Sequence, residues 1–66
     1  MHIELNGERT DIPDAATVAD LVSRLELTQR RIAVEVNEDV VPRSRFGQHH
    51  LHPEDRVEII HAIGGG

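Results

Sequence analysis

Sixty-six residues that run hairpin, helix, strand, short strand, strand predict an α+β domain of the β-grasp class, a mixed ββαββ sheet with one helix across one face. Three observations carry this. An Asn-Gly pair separates two short alternating stretches, helical apolar spacing follows it, and a cleanly alternating strand comes next. Because the chain passes through a helix between strands and such crossovers are right-handed, the helix must lie on one side of the sheet.

The first element is His2 to Ile12, read as a β-hairpin, since Asn6-Gly7 supplies the two positive-φ residues of a type I′ turn. That turn sets the register. Leu5 faces Glu8 and Ile3 faces Thr10, so Ile3, Leu5 and Ile12 share the core face while Glu4 and Arg9 pair on the other. After Pro13, Thr17 is an N-cap with Asp20 three residues on, and Val18, Leu21, Val22 and Leu25 follow the spacing of an amphipathic helix. Arg31 to Asn37 alternates, with Ile32, Val34 and Val36 inward and Arg31, Ala33 and Glu35 outward. Glu38 and Asp39 make the next turn, and Val40 and Val41 form a stub strand that Pro42 stops. Ser44 caps a single turn that holds Phe46 inward. Pro53, Glu54 and Asp55 form the last turn, and Arg56 to Ile63 makes the final strand. The domain is thus 1–63, followed by a flexible Gly64, Gly65, Gly66 tail.

A chain this short holds one core and excludes barrels and nucleotide-binding sheets. It has no Cys, which excludes disulfides, iron–sulfur clusters and thiolate zinc sites. A net charge of −5 repels phosphate backbones and anionic lipid, so neither nucleic acid nor a membrane is expected as a partner, whereas proteins with basic surfaces are. No apolar run is long enough to cross a bilayer and Met1 leads directly into a strand, which reads as cytoplasmic.

Few residues offer chemistry of their own. Ser23 falls within the helix, Ser44 in a turn, and no base is placed to activate either, so no catalytic residue is assigned. The pairs Glu38 with Asp39 and Glu54 with Asp55 sit in solvated turns, where nothing tunes a general acid or base. His49, His50 and His52 suggest a metal, yet adjacent side chains on an extended segment point apart and no carboxylate completes a tetrahedron. They read as a solvated loop, with no metal and no bound cofactor.

The final strand breaks the expected pattern. With Val57 and Ile59 inward, Glu58, Ile60 and Ala62 face outward, and with Ala33 on the neighbouring strand they form a partner-binding patch that extends to Ile63. The three glycines beyond it add nothing to a core and suit insertion into a narrow channel, with a reach of at most roughly 10 Å.

Three stretches together carry a family resemblance: IAVEVNEDVVPR over Ile32–Arg43, DRVEIIHAI over Asp55–Ile63, and a terminal diglycine. The chain resembles the ThiS family, ubiquitin-like sulfur carrier proteins of thiamine thiazole biosynthesis, over nearly its whole length. The resemblance implies a reagent rather than an enzyme. A ThiF-type adenylating enzyme would use ATP and magnesium to activate the C-terminal carboxylate. Sulfur from a cysteine desulfurase or other persulfide donor would displace AMP, and thiazole synthase would take the sulfur from the resulting thiocarboxylate. Carried over by position, the sulfur-accepting residue is Gly66, with Gly65 beside it. Gly64 departs from the family's two-glycine ending. All seven basic residues are Arg, so an activated terminus would meet no lysine amine on its own chain.

Two other carrier readings share the diglycine: a sulfur carrier for molybdopterin synthesis, and a ubiquitin-like modifier that forms isopeptide bonds. The short length and the Val41–Arg43 turn favour the thiazole pathway. A plain interaction or metal-trafficking module would instead tolerate loss of the tail.

Overall fold

The computed structural model describes residues 1–61. The elements are β1 (His2–Leu5), β2 (Glu8–Asp11), α1 (Val18–Arg24), β3 (Ile32–Val36), β4 (Asp39–Val41), a 3-10 turn at Arg43–Arg45, and β5 (Arg56–His61). They form one mixed sheet in the order β2-β1-β5-β3-β4. The stub at Val40 and Val41 is therefore a full member of the sheet, and the hairpin, strand, stub and final strand of the expected order make five described strands, one more than the shorthand ββαββ writes out. The β1–β5 pair is parallel and central, and the other pairs are antiparallel.

The first hairpin has the expected register, with Ile3 opposite Thr10 and Leu5 opposite Glu8. Asn6 and Gly7 take φ of 49° and 84°, the two left-handed positions that a type I′ turn requires. The second tight turn falls one residue earlier than expected. Asn37 and Glu38, with φ of 51° and 73°, make it, and Asp39 is already paired with Val36. Asn tolerates the left-handed region better than Asp39 can improve on, so the turn is drawn toward Asn37.

Thr17 caps α1 as predicted: its hydroxyl accepts the N–H of Asp20 at 3.1 Å, and the Asp20 carboxylate accepts the N–H of Thr17 at 2.9 Å. The helix is shorter than the apolar spacing implied. Glu26 turns left-handed at φ 59°, and the N–H groups of Glu26 and Leu27 bond back to Ser23 and Val22 in a Schellman ending. Leu25 is consequently exposed rather than buried, and Leu27, delivered by the reversal, packs against the core in its stead. Ser44 lies inside the 3-10 turn and caps nothing; Pro42 precedes the turn, and Phe46 is buried as expected.

The core lies between α1 and one sheet face, with Val18, Leu21 and Val22 from the helix meeting Ile3, Val34, Val36, Val57 and Ile59 from the strands. Leu51, almost fully buried, completes it from within the histidine segment, between His50 and His52. Among the described residues no helix is long and apolar enough to cross a membrane.

Candidate functional site

The face of the sheet away from α1 carries the candidate site. Val57 and Ile59 are buried, so alternation turns Arg56, Glu58 and Ile60 outward. On β3 the outward residues are Ala33 and Glu35, and the register sets Ile60 opposite Ala33 and Glu58 opposite Glu35. Ala33, Glu58 and Ile60, expected to share a patch, are indeed brought together, and Ile60 is 49% exposed. Ala62, Ile63, Gly64, Gly65 and Gly66 lie outside the described residues.

Two members of this face lie outside the expected patch: Val40, not expected on it, and Glu35, expected to point outward but not joined to it. Val40, 66% exposed, stands opposite Glu35 on β4 and widens the apolar surface. Its signal was the hairpin register, which a turn placed at Glu38 and Asp39 would shift by one. Glu35 itself stands directly opposite Glu58, a like-charge cross-strand pair that disfavours the free face. Among the described residues neither carboxylate forms an ion pair. The other half of the face is differently charged, because Glu4 lies between Arg9 on β2 and Arg56 on β5.

Two asparagines clamp β5 from its two sides. The N–H of Asn6 donates to the Val57 carbonyl at 2.9 Å, and the N–H of Ile59 donates to Oδ1 of Asn6 at 2.8 Å. On the other flank the N–H of Asn37 donates to the Arg56 carbonyl at 2.7 Å, and the N–H of Arg56 donates to Oδ1 of Asn37 at 2.9 Å. Nδ2 of Asn37 also donates to Asp55 at 3.0 Å. Each asparagine leaves the strand conformation to make a turn, and its side-chain oxygen serves where a further strand carbonyl would. These contacts hold the chain from Asp55 to Ile59 between its two neighbouring strands.

The groups considered for chemistry have structural employment. Asp55 accepts the N–H of His52 at 2.8 Å as well as Nδ2 of Asn37, and Glu38 and Glu54 occupy positive-φ turn positions. The histidine segment bonds through its backbone: Val18 N–H to the His49 carbonyl at 2.9 Å, and Leu51 N–H to the Ala16 carbonyl at 2.8 Å. Among the described residues there is no group of three or more His, Asp or Glu side chains able to hold a metal ion. Arg43 is also a staple. Its guanidinium donates to the carbonyls of Thr28 and Arg30 at 3.1 and 2.7 Å and lies 5.5 Å from the Phe46 ring centre, tying down the connection from α1 to β3.

Comparison with known proteins bears on the family and the fold. The model of the ThiS family matches residues 3–66. A protein named thiazole synthase from Paramagnetospirillum magneticum is 36% identical over 66 residues, all of this chain but 20% of that protein. A second thiazole synthase, from Magnetococcus marinus, is 38% identical with the same coverage, so the chain spans about a fifth of the length of these relatives. The sulfur carrier protein ThiS of Bacillus subtilis is 31% identical, with 97% of this chain and 98% of that one covered. The crystal structure of a thiamine biosynthesis protein (ThiS) from Geobacter metallireducens superposes with a TM-score of 0.86 at 29% identity, over the full length of both chains.

Proposed function

The chain belongs to the ThiS family, and from that premise we propose that it is a sulfur carrier of thiamine biosynthesis, a reagent whose C-terminal glycine bears the sulfur. The observation that carries the reading is a central strand, β5, that presents Glu58 and the half-exposed Ile60 outward beside Ala33 and Glu35 and whose last described residue, His61, stands three positions before the glycines 64–66 in sequence. Such a body presents a terminal carboxylate on a narrow arm, here that of Gly66, with Gly65 and Gly64 behind it.

The chemistry follows from the poor electrophilicity of a carboxylate. Attack of its oxygen on the α-phosphorus of ATP, in a ThiF-type adenylating enzyme with magnesium, would release pyrophosphate and leave an acyl-adenylate. The terminal sulfur of a persulfide, from a cysteine desulfurase or another donor, then displaces AMP to give an acyl disulfide. A thiol cleaves the S–S bond, taking the donor sulfur into a mixed disulfide and leaving the thiocarboxylate. Attack of that sulfur on a carbonyl carbon of the thiazole precursor on thiazole synthase, with the carbonyl oxygen passing to the acyl carbon as the acyl–sulfur bond breaks, would leave sulfur on the precursor and regenerate the carboxylate. The two relatives named thiazole synthase support that last partnership, since a stretch similar to this whole chain makes up a fifth of each.

The chain supplies no catalytic group in this scheme. Its part is to dock through Ile60, Ala33, Val40, Glu58 and Glu35 and to deliver the arm. Deleting Gly66 tests the reading, because the described core ends at Ile59 and should be untouched. Sulfur acceptance should vanish while the melting temperature stays; acceptance by the shortened chain would contradict the assignment to Gly66.

A further inference from the structure

The two sides of β5 are covered to different lengths. β3 pairs with it as far as Ile32 opposite His61, whereas the β1 side stops at Asn6, whose Oδ1 takes the N–H of Ile59. In a strand, N–H groups two residues apart point the same way, so the His61 N–H follows Ile59 toward the β1 side. Among the described residues neither the Ile59 carbonyl nor the His61 N–H has a partner on that side. The stretch has none of the devices that blunt an edge: no Pro, no Lys, no bulge. Approach is open as well, for a Cβ built on Gly7 at the hairpin tip would meet nothing within 4 Å. A groove lined by Asn6, Gly7, Glu58 and Ile60 runs along this line.

We propose that an extended segment of the adenylating enzyme adds as a strand to this uncovered edge of β5, accepting from the His61 N–H and donating to the Ile59 carbonyl. The proposal rests on the carrier reading, which requires that enzyme. Five residues follow His61, so Gly66 lies at most roughly 17 Å from it, and the root of the arm must be held within that distance of the reacting phosphorus. A strand paired at the root fixes both position and direction, which a patch of side chains alone does not. Outward side chains of the added strand would be apolar beside Ile60 and basic beside Glu58, where a cation also relieves the opposition of Glu58 and Glu35.

The test uses His61→Pro and His61→Ala with a ThiF-type adenylating enzyme from the same organism. Proline at this position removes the edge N–H and leaves the β3 ladder, which uses Ile60, in place. Its affinity should fall at least about tenfold relative to His61→Ala, with Ala close to the wild type. Equal affinities would overturn the proposal while leaving the carrier reading standing. If the proline variant melts well below the wild type, amide exchange on the wild type replaces it: the His61 amide should become protected on adding the enzyme, and unchanged exchange would overturn the proposal. A wild-type chain that the enzyme neither binds nor adenylates would overturn the carrier reading itself.

Discussion

Oδ1 of Asn6 accepts the N–H of Ile59 at 2.8 Å, joining a hairpin turn near the start of the chain to the last strand across 53 positions of sequence. One residue therefore closes a turn and completes a ladder. Asn6→Gly should keep the turn but lose the acceptor, leaving the part-buried N–H of Ile59 unpaired at a cost of about 1–3 kcal/mol. Asn6→Asp, which retains an oxygen and tolerates left-handed φ, should recover most of that. Chemical denaturation of the three proteins checks this, and equal stability of Asn6→Gly and wild type would remove the contact from the account.

Arg43 belongs to the motif that identified the family, and its contacts are internal. Arg43→Lys should cost about 1 kcal/mol, because a single ammonium cannot serve the Thr28 and Arg30 carbonyls in the fork geometry. The loss should appear as faster amide exchange between Leu25 and Arg31, with affinity for the adenylating enzyme unchanged.

The Asp20 carboxyl is held below its ordinary value of 3.8, first by the backbone N–H of Thr17 and then by the Thr17 hydroxyl. A lowered pKa in the folded state means a contribution that is complete above the unfolded value and is lost as pH falls through the folded one. Stability should therefore decline below about pH 4 partly through this group. Asp20→Asn should flatten that part of the acid limb, and urea titrations from pH 2 to pH 6 measure it; an unaltered limb would assign the decline to other carboxylates.

Much of the fold was legible because its signals are local. Asn6-Gly7 admits only one kind of turn, which fixed the first register, and Thr17 with Asp20 fixed the start of α1. The misreadings came where a local signal met a tertiary one. Leu25 has the right spacing for a buried face, yet the helix ends before it and the chain reverses at Glu26. Leu51 stands among histidines, so no periodicity marks it, and only the packing of that segment under α1 reveals it as core. The outward Ile60 and Glu58 could be read from alternation alone, while Val40 and the unfinished edge beside Asn6 depend on registers between strands distant in sequence.

Ile60 is half exposed opposite Ala33, so Ile60→Glu should leave the melting temperature within a degree or two of wild type. Binding to the adenylating enzyme should weaken by about 1–2 kcal/mol or more, through lost apolar contact and a third carboxylate beside Glu35 and Glu58. Isothermal titration calorimetry decides it, and unchanged affinity would take Ile60 out of the interface.

The central claim is most directly tested by intact mass spectrometry of the full chain after incubation with ATP, magnesium, the adenylating enzyme, a persulfide donor and a thiol reductant. The account predicts a single product in which one oxygen is exchanged for sulfur, located by fragmentation on Gly66, with every side chain unmodified and no product when ATP is withheld. An unchanged mass would contradict it, and so would recovery of the chain in amide linkage to lysines of other proteins.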